Sequence, residues 1–389
     1  MNSIFKPNDS ADGNCPKPIS RREALRLCGI GAIAAAGVLP GAASAGAGPD
    51  RKPPRTVVLD SRFAPAPDTL GDGVQEFVNA LEGRARLKVS FATPSFGSGI
   101  LNAVNAGQID LGIGLLVIEK SGNPALDHVF RLYGESIPFG PDVDGYLEWL
   151  TIGGGLDLLK RIMVHKHGYH PRLEILPVIA NTAQAAGMSK LALTRENFST
   201  GFLMRTFGFG QQAVQRAYPQ MSFIGAVGGS VTNIIAGFQG TLSGNYCPGG
   251  GTCELKAAEF VNPCIDGNLI YSAGIAGTGV RYYYTTPWQS PATISFLYYR
   301  SDRFTQGELA TLRAAQRANV LDSRERLLAE NIECLRDLQV VYGQEVRELP
   351  DDVLTDLLTA SRDILHAEAA ADEDFGKALK SLQHFDRKR

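Results

Sequence analysis

The chain has 389 residues, 44% of them hydrophobic and 20% charged, with a formal net charge of −2. That length and balance describe an ordinary globular protein with room for two lobes. A near-neutral chain without a basic run interleaved with aromatics excludes binding to nucleic acid through a broad positive field.

The first 45 residues read as an export signal. Ser20-Arg21-Arg22-Glu23-Ala24-Leu25-Arg26 precede the apolar segment 27–39, and Ala43-Ser44-Ala45 supplies a small-x-small cleavage site. The paired arginines resemble a twin-arginine signal, with Ala24 where such signals usually carry Phe. The bland alternative is a retained N-terminal anchor helix. Cleavage after Ala45 removes five basic and three acidic residues, which takes the net charge from −2 to −4. It leaves Cys247, Cys253, Cys264 and Cys334, an even count suited to an oxidising compartment. Cys247 and Cys253 bracket the loop PGGGT and are expected to bridge, with Cys264 and Cys334 as a second pair by guess.

After a Pro/Gly linker over 46–54, TVVLDSRF reads as a strand, and LGDGVQEFVNALEG has helical spacing with Gly83 as its stop. ARLKVSFAT alternates as a strand, GILNAVNAGQ is a helix and IDLGIGLLVI a short apolar strand. That rhythm predicts a parallel α/β sheet. The stretch 143–168 is helical with an interruption at Gly153-Gly154-Gly155, and RLEILPVIAN is another strand. Residues 201–242 repeat the rhythm with a strand at FLMRTFG, a helix over 211–218, a strand at SFIGAV and a helix in 231–240. AAEFV and VRYYYTT are short extended pieces. Two long charged helices are expected over 306–342 and 351–384.

Several motifs invite chemistry and do not carry it. His165, His167 and His170 cluster, but on a helix the first two point about 200 degrees apart, so they read as surface residues at a helix end. GAVGG and GFGQQ have neither phosphate-loop nor dinucleotide-loop spacing. The chain has no GxSxG, HExxH or CxxC motif, and no local nucleophile-base arrangement, so an enzyme is disfavoured. The sharper signal is FLMRTFGFG, which sets Arg205 among apolar residues and glycines. Arg keeps its proton, and its burial without an anion costs several kcal/mol on the order of. Arg205 therefore faces either a visiting anion or a distant carboxylate of the chain itself, such as Glu259.

Several stretches in order resemble one family, the solute-binding proteins of TRAP (tripartite ATP-independent periplasmic) transporters. They are AVNAGQIDLGIG, ESIPFGPDVDGYLEWLTIGGGLDLLKR, VIANTAQAAGMSK, FLMRTFGFGQQAVQRAYPQ, AGFQG with KAAEFVNP, RYYYTTPWQSP, and the tail AADEDFGKALKSLQHF. Together they cover about residues 55–386. They are most similar to the branch that binds 2-oxo monocarboxylates. The resemblance implies an α/β, two-lobed periplasmic-binding-protein fold with hinge strands and a long C-terminal helical segment. One lobe is expected from 55–180 with 285–305, and the other from 181–284 with a Cys-flanked insertion at 243–256; helices fill 306–389.

By the same resemblance Arg205 binds the ligand carboxylate, hydrated in an open cleft until the lobes close. Gln184, Glu259 and the backbone of Phe260 hold a cation, Na⁺ or Ca²⁺, beside it, and no organic cofactor is implied. The chain departs from the pattern in three places. Phe260 and Met188 replace tryptophans, and Gln289 or Ser290 stands where a second Glu is expected. Asn181 is a further ligand-facing candidate, and Trp288 reads equally as a pocket wall or a core residue. The expected function is capture of a small 2-oxo or 2-hydroxy monocarboxylate in the periplasm and its delivery to TRAP permease subunits. The helical tail is compatible with a homodimer. The rival is an exported sensory or scaffold module of the same fold.

Overall fold

The computed structural model describes residues 54–387, apart from 64–68, 85–86, 94, 97–98, 120–123, 226–233, 235–236, 245–246, 248–249 and 261–276. The signal, most of the linker, much of the helix expected in 231–240, and Cys264 lie outside the described residues. The first half runs β1 (Arg55–Ser61), α1 (Thr69–Arg84), β2 (Leu87–Phe91), α2 (Ile100–Asn105), β3 (Leu111–Gly114), α3 (Pro124–Glu135), α4 (Val143–Thr151), α5 (Gly155–His167) and β4 (Leu173–Asn181). It continues with β5 (Ala185–Ser189), α6 (Arg195–Thr200), β6 (Leu203–Arg205), α7 (Gly208–Ala217), β7 (Ser222–Ile224), β8 (Leu242–Ser243), β9 (Thr252–Cys253), β10 (Leu255–Phe260) and β11 (Tyr282–Tyr284). It ends with β12 (Thr293–Arg300), α8 (Gln306–Val340), β13 (Glu345–Arg347), α9 (Asp351–Ala371) and α10 (Glu373–Asp386).

Two sheets organise these elements. One has the order β2-β1-β3-β12-β4, and the other β13-β11-β5-β10-β6-β7. The first begins as the predicted β-α-β-α-β unit, with β1 parallel to β2 and β3. Its inward residues Val57, Leu59, Leu111 and Ile113 are fully buried. The chain then passes between the sheets twice through short connections, from Asn181 to Ala185 and from Tyr284 to Thr293. Between these crossings β4 and β12 pair antiparallel from Leu173↔Arg300 to Asn181↔Thr293, with a register shift near Pro177. Pro177 has no N–H for the ladder, which fits an irregularity there.

The C-terminal helices fasten the first sheet. A capping box of Thr305 and Glu308 starts α8. Its buried Asn319 donates to the carbonyls of Val178 (2.8 Å) and Gly73 (3.0 Å), and Gln316 donates to the carbonyl of Pro177. The helix expected as one piece over 351–384 is two. Asp372 leaves the helical region, and its carboxylate accepts from the amides of Asp374 and Phe375. An aspartate that caps the next helix ends the previous one, which the hydrophobic spacing alone does not report. The turn lets α10 cover Trp149, whose indole donates to Ser381 Oγ at 3.1 Å while Tyr133 and Tyr146 pack on its ring.

Cys247 and Cys253 are bridged, with 5.6 Å between their Cα atoms, and close the small β8-β9 hairpin. Cys334 is also disulfide-bonded. His165 and His167 lie in the last turn of α5, ended by Gly168 at φ 69°.

Gly187 fits its strand only as glycine. It has φ +109°, and a Cβ would stand 1.9 Å from the carbonyl oxygen of Ala258. Gly187→Ala is expected to cost about 3 kcal/mol in urea unfolding, because backbone strain and a rigid backbone clash act together. Glu119 is a buried carboxylate that accepts from the amide of Leu101, and desolvation pushes its pKa from 4.5 to about 7. The folded chain therefore holds a proton that the unfolded chain releases first. Stability from this group is full below pH 4.5 and is lost as the pH rises through 7. Glu119→Gln should flatten that part of a stability-versus-pH curve measured by thermal unfolding.

Candidate functional site

The second sheet assembles the candidate site from residues far apart in sequence. β6 lies parallel to β10 with Arg205 opposite Ala258, which sets Arg205 beside Glu259. On its other edge β10 pairs with β5, where the register slips between Ala258 and Phe260. Glu259 sits at that slip, and a bulge of this kind re-aims a side chain out of the strict alternation.

Arg205 Nη1 donates to the backbone carbonyl of Glu259 at 3.1 Å and stands 3.6 Å from Glu259 Oε1. Its guanidinium also lies 5.2 Å from the ring centre of Phe207. The expectation of a hydrated Arg205 that awaits its anion is therefore corrected. Arg205 is 8% exposed and Glu259 1% exposed, and the chain supplies the counter-charge. Strand register brings the two together across 54 residues, a separation over which local sequence carries no signal. Glu259 is further held by the Thr206 hydroxyl (2.7 Å) and the Phe207 amide (3.2 Å). Burial nevertheless pushes its pKa up to about 7, with Arg205, Thr206 and Phe207 pulling it down.

The other candidates are placed as follows. Gln184 immediately precedes Ala185, the register partner of Phe260, and its amide donates to the carbonyl of Ser290 at 2.9 Å. Gln289 Nε2 donates to the Ala185 carbonyl at 3.1 Å, while its Oε1 is buried without a partner among the described residues. Asn181 ends β4, 1% exposed, with both polar side-chain atoms in the same condition. Trp288 is buried against Phe139 and the apolar cluster of Ala186, Met204 and Val353. Met188 is buried in the apolar cluster of Leu203, Leu255 and Tyr283.

Glu135, at the head of ESIPFG, is a candidate that local sequence does not single out. The structure buries it to 5% exposure at the end of α3. It accepts from the Phe209 amide, and its Oε1 has no partner among the described residues. Burial pushes its pKa up to about 8, Arg131 pulls it down and Glu259 pushes it up further, which makes Glu135 and Glu259 electrostatic neighbours. A Cβ on Gly208, where φ is +62°, would stand 2.2 Å from Glu135 Oε1. In the sequence the glycine pair of GFG is the one hint, and the folded chain adds a tight passage after Glu135. There Ser136 and Phe139 both adopt positive φ, at 60° and 57°, a strained state that clusters at functional sites.

Two surface cavities, of 140 Å³ beside Lys160 and Glu174 and of 580 Å³ between Gln212 and Asp363, are lined by none of these residues. The cluster is closed over. It sets the Arg205 guanidinium beside Glu259 and Glu135 near Glu259, with the Phe207 and Phe209 amides at the start of α7 donating to the two carboxylates.

No family model and no curated protein matches the sequence. Solved structures do. A TRAP periplasmic solute-binding protein from Pseudoalteromonas atlantica, with bound sodium and pyruvate, aligns with TM-score 0.69 at 20% identity over 86% of this chain and 94% of that one. One from Colwellia psychrerythraea, with calcium and pyruvate, gives 0.70 at 19% over 86% and 94%. This chain has the TRAP solute-binding fold. A third example, from Bordetella bronchiseptica, is a dimer with calcium and picolinate in its occupied site; it gives 0.68 at 16% over 87% and 93%. The expected two-lobed α/β architecture and long C-terminal helical segment are thereby met.

Arg205→Ala would leave Glu259 buried without its main counter-charge. Its folding stability is expected to fall by about 3 kcal/mol or more, measured as the shift of a urea midpoint, with Arg205→Lys losing less because it keeps the charge.

Proposed function

We propose that the chain is an exported, nonenzymatic binding protein that holds a small 2-oxo or 2-hydroxy monocarboxylate between its lobes and delivers it to a TRAP-type permease. The observation that carries the reading is the buried pair of Arg205 and Glu259, with Gln184 directly before Ala185, the register partner of Phe260, and Asn181 buried at the other end of the same crossing. Proteins of this fold carry pyruvate with sodium or calcium, and picolinate with calcium. Those ligands are small monocarboxylates accompanied by a hard cation, and the residues here suit both partners. A guanidinium fork matches a planar carboxylate. The Glu259 carboxylate, the Gln184 amide oxygen and the Phe260 carbonyl are the oxygen donors that a hard cation takes.

On this reading the burial of the cluster is the closed form of a two-lobed binder. Residues 55–180 with 285–305 form one lobe and 181–284 the other, and motion about the crossings at 181–185 and 284–293 admits the acid. The sequence signal and the periplasmic location of the similar proteins support export. One observation favours the rival of a same-fold module without cargo: Glu259 already neutralises Arg205.

Calorimetric titration of the purified protein with pyruvate, lactate and picolinate, each with Na⁺ or Ca²⁺, separates the two. Binding of at least one acid, weakened about tenfold or more in Arg205→Lys because the fork is lost, is the expected result. A folded protein that binds no carboxylate under any of these conditions supports the rival.

A further inference from the structure

We propose that Glu135 supplies a second carboxylate to a cation site shared with Glu259 at the N-terminus of α7. The inference deepens the proposed acid site and rests on that reading. Three observations point to it.

The first is placement. Glu259 Oε1 accepts from the Phe207 amide, and Glu135 accepts from the Phe209 amide. The two carboxylates therefore bracket Gly208, whose missing side chain makes room for Glu135 Oε1. Like charges brought this close and buried repel and lose hydration, and nothing in ordinary core packing calls for the pair.

The second is unmet bonding capacity. Glu135 Oε1 and Gln289 Oε1 are acceptor oxygens, each on a residue at least nine-tenths buried, and neither has a donor among the described residues. Gln289 is tied to this place: its Nε2 holds the Ala185 carbonyl, and its Cβ would lie 3.0 Å from a Cβ on Gly210, whose next neighbour is the Thr206 hydroxyl. Thr206 in turn holds Glu259. A buried carboxylate oxygen and a buried amide oxygen without donors, beside the Glu259 carboxylate, are the kind of donor set a hard cation such as Ca²⁺ or Na⁺ takes.

The third is support from behind. Ser290 Oγ donates to the backbone carbonyl of Glu135 at 2.7 Å across 155 residues. Ser290 is one of the two positions at which an acidic side chain was expected and is missing. The residue there instead anchors the one that brings a carboxylate from α3.

The test uses the purified protein without acid, titrated calorimetrically with CaCl₂ and separately with NaCl. Wild type is expected to bind one of the two, and Glu135→Gln, which keeps the shape and an acceptor for Phe209, should bind it at least about tenfold more weakly. Circular dichroism and the thermal midpoint check the fold. If the amide variant does not fold, Glu135→Asp is read in its place; retraction of the carboxylate by one methylene should weaken the ion while the charge stays. Equal cation affinity in wild type and in a folded variant overturns the proposal, and so does a wild type that binds neither ion. A parallel titration with pyruvate keeps the two readings apart. Acid binding that needs no cation defeats only the role of Glu135, whereas absence of acid binding from a protein that still binds the cation through Glu135 defeats only the carrier reading.

Discussion

A guanidinium and two carboxylates lie together out of water, and the second sheet is shaped by the need to make that tolerable. Removing such charges from solvent costs several kcal/mol on the order of each, recovered only by close partners of good geometry. Arg205 offsets Glu259, the Thr206 hydroxyl and Phe207 amide complete the carboxylate, and the Phe209 amide and Arg131 serve Glu135. The compensation is incomplete, as the upward pKa of both acids records. Buried polar groups left short of partners beside opposed charges mark a place where a protein holds something other than itself.

The scaffold follows from this. A register slip in β10 turns Glu259 toward Arg205, and β5 must come close enough at Gly187 that no side chain fits. At the start of α7, Gly208 leaves the room that Glu135 fills. Around these contacts, β4 and β12 run side by side through the junction of the sheets, and α8 grips β4 through Gln316 and Asn319. A rigid frame on one side and short crossings to the other is the mechanical arrangement from which lobe closure is made.

The contrast between two kinds of residue explains what sequence reading reached. Turns, caps and alternation are local, and they were legible: the β-α-β-α-β opening, the helix end at the histidine cluster, and the bridge across PGGGT. The break at Asp372 was missed because a capping aspartate inside a run of good helix formers leaves the hydrophobic spacing intact. Arg205 and Glu259 stood out one at a time, as a lone cation in apolar surroundings and as a member of a recognisable stretch. Glu135 was only faintly marked, by the glycines of GFG, since a glutamate at the end of an amphipathic helix is ordinarily a solvated residue.

By itself, then, the amino-acid order determined the α/β class, the opening β-α-β-α-β unit, the Cys247–Cys253 bridge, and which charged residue would need an anion. Only the folded chain decided which anion that residue meets first, that a second carboxylate stands next to it, and that the whole group is sealed from water. The reason is range: periodicity and capping act within a few residues, whereas a strand register and a helix packed on it bring together charges 54 and more residues apart, and desolvation acts on whatever they bring.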